Sequence, residues 1–370
     1  MHRRPEAGFA GSTLLIEGTQ LTRSPRNPVR LNVLTGELRR ARFGPGVEEV
    51  VSWLAGLSGP VRAVYEAGPT GFGLYRAARV AGIGIAVVAP SKTPRASGDR
   101  VKTDRKDAER LARLAMAGEL SSVAVPDEFI EAARHLTRTR EHARQDVLRA
   151  RHRVSKLLLM HGRVYPGVTT WNREHRRWLA GQAFELAPTE LAYVDLLAAV
   201  DGLVVRKDAL DERLSRLAAD ERLWPTVARL RAFRGLDTLS ALAIHLELGG
   251  DWQRFGSPRR LFAWLGLTPS LEQSGQSSVQ GAITKTGSVY ARRLLVEAAW
   301  HYARPPRIGV ALDNRQTGQP DHTLQIAWRA QHRLYRQHQR LRERGKPHNV
   351  TTIAVARELA GFLWAAATSP

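Results

Sequence analysis

The spacing of apolar residues changes character once along the chain, near Pro126. Before it, short apolar runs alternate with stretches of helical spacing. Residues 29–33 and 38–43 read as two strands joined by a turn at Thr35-Gly36. Val47, Val50, Val51, Leu54 and Leu57 follow the three-and-four spacing of a helix. Residues 61–65 read as a strand ending at Glu66 and a turn through Gly68-Pro69-Thr70-Gly71. A helix over 72–81 is closed by Gly82, and the unbroken apolar run 83–88 reads as a strand buried on both faces. A polar loop, 89–103, leads into a helix over 104–117. Strands alternating with helices in this way predict an α/β layer with at least part of its sheet parallel. Residues 1–30 show neither pattern, and the stretch Arg23-Ser24-Pro25-Arg26-Asn27-Pro28 is turn-like.

After Pro126 the period becomes helical throughout. Residues 131–161 contain no Gly or Pro and read as one long helix, and Ala143, Val147, Ala150, Val154 and Leu157 step by four and three, the seam of a coiled coil. A second seam through Leu203, Leu210, Leu214, Leu217 and Trp224 predicts an antiparallel return, with a further helix near 188–200 between them. Trp171 and Trp178 read as packing in this hairpin, with stacking on nucleic-acid bases as the alternative. Residues 230–248 read as helix, tight turn at Gly235, helix. Helix-hairpin-helix modules use such a turn to offer backbone N–H groups to a phosphate, although Asp237 stands where the second glycine usually does. Then come a Ser/Gly/Gln loop over 270–281, a helix from Val289, and a closing apolar helix over 352–366. These patterns divide the chain into an atypical segment 1–30, an α/β domain 31–126, a helical hairpin 127–222, a helical domain 223–310 and a basic helical tail 311–370.

Charge narrows the partners. Lys and Arg number 56 against 35 Asp and Glu, a formal net charge of +21. Such an excess repels itself and is best tolerated opposite a polyanion. No run of about 18 apolar residues suits a bilayer, no secretory signal is evident, and there is no cysteine, which fits a reducing cytoplasm and excludes disulfides and thiolate metal sites.

Three carboxylates stand out. Glu66 ends a predicted strand, the edge at which open α/β sheets build their sites. Asp104 and Asp107 open a predicted helix in a basic stretch that includes Arg100 and Lys102. Carboxylates that share a helical face repel one another unless a cation lies between them, which points to a divalent metal. The same pair also suits a helix start, as an N-cap with a favourable second charge. The Ser/Gly loop carries Ser274, Ser277 and Ser278, and a nucleophilic serine there would have Lys285, Arg292 and Arg293 following it in sequence to stabilise developing phosphate charge, although the composition by itself favours a flexible connector. Arg149 and Arg153 on the long helix are candidate phosphate contacts. The histidines form no metal motif, and His332 and His338 read as solvated or phosphate-facing.

Taken in series, Tyr65-Glu66-Ala67-Gly68-Pro69-Thr70-Gly71, Lys102-Thr103-Asp104-x-x-Asp107-Ala108 and Leu267-Thr268-Pro269-x4-Ser274-Gly275 resemble the IS110/IS1111-type (IS116/IS110/IS902) transposases of bacterial insertion sequences, from about Leu31 to Ala366. The resemblance implies a RuvC-like (ribonuclease H-like) DEDD domain, a coiled-coil insertion and a helical C-terminal transposase domain with a catalytic serine. It further implies Mg²⁺-dependent cutting and rejoining of double-stranded donor and target DNA by a homo-oligomer guided by an element-encoded RNA. By the same resemblance Glu66, Asp104 and Asp107 are metal ligands and Ser274 is the nucleophile.

The sequence departs from that pattern at its start. The family's first Asp lies on the first strand of the sheet, but here no Asp precedes Asp99, and residues 1–30 lack the expected apolar strand. Glu17, after Leu14-Leu15-Ile16, is the nearest carboxylate. The expectation is a misread start, an upstream frameshift or a decayed copy, impaired in metal binding and cleavage. The alternatives are a non-catalytic DNA- and RNA-binding remnant, and a junction nuclease that uses carboxylates alone.

Overall fold

Five strands form one mixed sheet in the first 125 residues of the computed structural model: β1 (Ser12–Leu15), β2 (Val29–Leu31), β3 (Leu38–Arg40), β4 (Val61–Glu66) and β5 (Gly84–Val88). The structure describes residues 12–15, 29–31, 38–41, 43–44, 46–68, 70–89, 104–274 and 277–369. At 12–15, 29–31, 38–40, 104–107, 272–274 and 277–279 it describes the backbone alone. The chain divides into two compact units, 1–125 and 126–370.

The sheet order is β3-β2-β1-β4-β5. β1 to β3 pair antiparallel, whereas β4 runs parallel to β1 and β5 parallel to β4. This corrects the sequence expectation for residues 1–30, because β1 is a strand and lies in the middle of the sheet. Four residues, Ser-Thr-Leu-Leu, are too short to show a two-residue period; pairing on both sides supplies what the local pattern does not. Alternation along β4 puts Ala63 and Tyr65 into a core with Val50 and Leu54 of α1 (Glu48–Ala55) and Leu74 and Ala78 of α2 (Gly73–Val80). Val64 faces the other way, toward Val88 and the buried Ala108-side stripe of α3 (Asp104–Met116), where Leu111 and Ala112 are fully buried. Glu66 therefore shares with Val64 the sheet face that α3 covers. The run 83–88 is an edge strand, buried on both faces only toward its end, at Val87 and Val88.

The second unit is helical apart from one hairpin of strands. α4 (Glu128–Met160) starts where Asp127 caps it, accepting from Ile130 N at 2.8 Å. Its seam residues Ala143, Val147, Ala150 and Val154 are buried, as their spacing requires. α5 (Arg173–Ala180) folds across the far end, and α6 (Ala187–Ala218) returns alongside α4, uniting in one helix the separate 188–200 helix and second seam read from sequence. Trp171 and Trp178 pack into the aromatic core of that far end with Leu158, Leu179 and Tyr193. The near ends of α4 and α6 are built into a larger core with α7 (Trp224–Arg231), α8 (Thr238–Glu247), α9 (Pro258–Trp264), α10 (Val289–Ala299), α12 (Asp321–Glu343) and α13 (His348–Thr368), while the short α11 (Val310–Gln316) lies against α7. By length and composition α13 could cross a membrane, but Val355, Ala356, Leu359 and Leu363 are fully buried against its neighbours, which makes it a core helix.

Residues 270–281 are not a connector. β6 (Pro269–Ser274) and β7 (Ser277–Ile283) pair antiparallel, with Ser274 opposite Ser277. A hairpin made of Ser, Gln and Gly has no apolar alternation to reveal it, so composition alone reads as linker.

Candidate active site

One edge of the sheet collects the ends of three parallel strands. Glu66 is the last residue of β4 and stands in register with Val88, the last of β5. Beyond it, Ala67 N donates to Val88 O at 2.8 Å, and the Tyr65 hydroxyl donates to Gly71 O at 3.3 Å, so the turn after Glu66 is tied back to the sheet. β1 ends at the same edge, with Leu15 beside Val64. Glu17, two residues further along the sequence, lies outside the described residues.

Ala115, Gly118 and Leu120 line a cavity of about 360 Å³ with Arg62 and Val64 of β4 and Gly84, Ala86 and Val88 of β5. Asp104 and Asp107 stand in the first turn of α3, the helix that packs on the sheet face of Val64. Ala108, Leu111 and Ala112 hold it there by burial. Hard carboxylate oxygens such as those of Glu66, Asp104 and Asp107 suit Mg²⁺ rather than a softer metal. Among the described residues no group of three His, Asp or Glu forms a metal cluster; the side chains of Asp104 and Asp107 lie outside that set.

The β6–β7 hairpin is fixed at its base. Thr284 N donates to Thr268 O at 2.9 Å and Lys285 N to Gly266 O at 3.1 Å. Gly266 has φ +65°, and a Cβ there would fall 2.2 Å from Thr286 N; at Gly287, φ +69°, it would fall 2.1 Å from Trp264 O. The two backbones interlock, and only glycine permits both the approach and the left-handed turn. The next residue, Ser288, caps α10 and donates from Oγ to Glu247 Oε2 at 2.6 Å. Glu247 is buried and also accepts from Arg138 of α4, at 2.7 Å from Nε and 3.1 Å from Nη2. A buried, fully bonded carboxylate thus joins α4, α8 and the segment leaving β7.

Comparison with known proteins decides what these parts belong to. A profile described as Transposase IS116/IS110/IS902 family matches residues 227–309, and a DEDD transposase profile of the IS110 type matches 32–161. A putative transposase, y4qE, of Sinorhizobium fredii is 41% identical over 322 residues, covering 87% of this chain and 79% of its own. The chain belongs to the IS116/IS110/IS902 family of insertion-sequence transposases. The transposase for insertion sequence element IS1533 of Leptospira borgpetersenii is 30% identical over 290 residues (77% and 83% covered), and that for IS1111A of Coxiella burnetii 26% over 199 (54% of each). The DEDD profile begins at residue 32, immediately after β2, so it does not reach β1.

Not every basic residue singled out in this transposase's sequence is free for phosphate. Arg292 is buried, and its Nη1 donates to the carbonyls of Leu265 and Thr286; it braces the hairpin base and is withdrawn from the list of phosphate contacts. Arg293 is shared between Glu141 Oε2 at 2.7 Å and Glu297 Oε1 at 2.6 Å. Arg149 is exposed and pairs with Asp146; Arg153 and Lys285 are exposed. Arg100 and Lys102 lie outside the described residues. His338 is buried, its pKa lowered by burial and then by His348 and Arg342, so it does not face solvent as His332 does.

The turn at Gly235 also differs from expectation. The Asp237 carboxylate accepts from Ser240 N at 2.7 Å, and Asp237 N donates to Ser240 Oγ at 2.8 Å. A capping box already fills the N-terminus of α8, so its N–H groups are not presented to a phosphate. Two buried acids, Glu141 and Glu247, escaped the sequence reading. The signal for Glu247 was present: an acid ending the otherwise apolar run of α8.

Proposed function

We propose that the chain is a transposase that cuts and rejoins double-stranded DNA, with a metal held by Glu66, Asp104 and Asp107 and with Ser274 as nucleophile. The observation that supports this reading is that α3, whose first turn carries Asp104 and Asp107, packs on the sheet face that Val64 of β4 presents, the face Glu66 shares by alternation. The sheet order β3-β2-β1-β4-β5, antiparallel first and parallel after, supports a RuvC-like (ribonuclease H-like) domain. Bound Mg²⁺ would supply charge stabilisation at the scissile phosphate. The chain's own carboxylates hold that charge in place, with Glu17 as the candidate for the fourth ligand because it is the first carboxylate after β1.

At Ser274 the hydroxyl oxygen attacks phosphorus, a new Ser–O–P ester forms, one strand P–O bond breaks, and the serine proton goes to solvent or a nearby base while the departing oxygen takes up a proton. Attack of a second strand's hydroxyl on that ester rejoins DNA and frees the serine, so no external energy source is required. A homo-oligomer guided by an element-encoded RNA completes the proposal.

The test uses the full chain, labelled donor and target duplexes, element RNA and Mg²⁺. Denaturing gels should show a covalent protein–DNA adduct that Ser274→Ala abolishes. Cleavage retained in Ser274→Ala would favour a carboxylate-only nuclease, and DNA binding without cleavage under any condition would favour the non-catalytic remnant, the reading suggested by the absence of an early Asp.

A further inference from the structure

A second polar site lies in the helical unit, away from the β6–β7 hairpin. An open cleft of about 840 Å³ is walled by α4, α10, α11, the turn between α7 and α8, and the segment 304–309. Seven arginines line it, against two acids, Asp237 and Glu297. On the α4 and α10 wall the charge is compensated: Arg140 pairs with Asp211 at 2.6 Å, and Arg144 and Arg293 share Glu141.

The opposite wall is different. Among the described residues, Arg234, Arg304, Arg307 and Arg315 make no ion pair with a carboxylate. Arg234 donates to the carbonyls of Arg304, at 3.3 Å, and Pro305, at 2.8 Å, and Arg315 to that of Arg231 at 3.0 Å. These bonds orient the guanidinium groups without neutralising them. Asp237 acts on Arg315 through its charge, but its carboxylate is committed to the cap of α8. His301 reports the resulting field: its pKa is lowered by burial and then by Arg234, Arg304 and Arg315. Four guanidinium groups converging on one concave wall repel each other, and that arrangement is stabilised when an anion with several oxygens lies between them.

We propose that this wall, through Arg234, Arg304, Arg307 and Arg315, grips the phosphodiester backbone of a nucleic-acid strand. The site needs only the phosphates, which duplex DNA and RNA both offer, and the helical capping at Asp237 leaves the arginines as its donors. The inference rests on the transposase reading but not on Glu66 or Ser274, so it can fail while that reading stands.

The test is binding of the full-length wild type, Arg304→Ala/Arg307→Ala and Arg342→Ala/Arg344→Ala to a fluorescent duplex and to a structured RNA, over a salt series. Arg304 and Arg307 are exposed and their side chains brace nothing, so the fold survives their loss; the second double variant removes the same charge at the exposed end of α12. The cleft variant should bind about tenfold or more weakly at 0.1 M salt, uniformly across sequences, and for duplex its salt slope should fall by about 1.8, two phosphate contacts' worth. The α12 variant should keep the wild-type slope. Loss on the duplex alone assigns the strand to DNA, and loss on the RNA alone assigns it to RNA. Equal effects of the two double variants, or no effect of the cleft variant on either ligand, overturn the proposal. A wild type that binds neither ligand overturns the transposase reading as well.

Discussion

The two units place their carboxylates in opposite ways. In the sheet unit, Glu66 stands at the end of a strand and Asp104 and Asp107 in the first turn of a helix, positions that backbone topology fixes. In the helical unit, Glu141 and Glu247 are buried among arginines and a serine, where they hold elements together. On the proposed reading, the same residue type serves chemistry at an edge and cohesion in a core. An edge carboxylate should be dispensable for folding and essential for cleavage, whereas a core carboxylate should be the reverse.

The strongest break of that contrast is at the edge. Glu66→Gln should leave the unfolding midpoint unchanged and lower Mg²⁺-dependent DNA cleavage by about 10³-fold, the scale of losing a metal's charge stabilisation. Asp104→Asn should match it, with duplex binding retained in a gel-shift assay. Glu17→Gln sharpens the result: an equal loss completes a four-carboxylate site, and full activity leaves three. A large drop in stability for Glu66→Gln would place this acid with the structural ones and sink the contrast.

The core acid comes next. Glu247→Ala leaves Arg138 and Ser288 without their acceptor and removes the link between α4, α8 and the start of α10. Breaking a buried pair costs about 3–5 kcal/mol, and because Arg138 is half exposed and can recover water the lower end applies, about 3 kcal/mol in chemical denaturation. Glu247→Gln keeps an acceptor and should lose less. Cleavage per folded molecule should fall too, since the β7–α10 segment loses its anchor.

His245 tests the same core without a charge partner. It is buried in α8, accepts from Trp252 Nε1 at 3.0 Å, and burial pushes its pKa down to about 4. The unfolded chain takes up the proton near pH 6.5, the native state only near pH 4. Stability is therefore full above pH 6.5 and falls by about 3 kcal/mol as the pH drops to 4, because the unfolded state binds more protons. His245→Gln retains an acceptor for Trp252 and should flatten that part of the profile, read as the urea midpoint against pH; an unchanged slope would show that another group carries it.

How much of this was legible in the sequence depends on whether the pattern was local. The coiled-coil seam and the helix carrying Leu111 and Ala112 follow their spacing, because burial of one stripe is what that spacing encodes. β1 and the β6–β7 hairpin do not, since Ser12–Leu15 becomes a strand only between β2 and β4, and a polar hairpin offers no alternation. Residue type misled at Arg292, an arginine that braces carbonyls, and the turn pattern at Gly235 misled where Asp237 caps the following helix. Carbonyl partners and helix starts depend on tertiary neighbours, on which composition is silent. The candidate carboxylates were legible because their place at element ends is itself a local feature.

The smallest effect belongs to an exposed pair that joins α5 to α6. Arg176 Nη1 lies 2.6 Å from Asp201 Oδ1, with both side chains substantially in solvent. In water the attraction is screened, and ordering two long side chains offsets much of it, so Asp201→Asn should change stability by no more than about 0.5 kcal/mol. The hairpin's far end is held instead by Leu158, Leu179 and Tyr193, whose hydroxyl donates to Leu179 O at 2.8 Å inside the core. Tyr193→Ala should therefore exceed Asp201→Asn several-fold in the same denaturation series. If the two were equal, surface charge rather than apolar burial would hold α5 on the hairpin, and the division between edge chemistry and core cohesion would not extend to this end of the molecule.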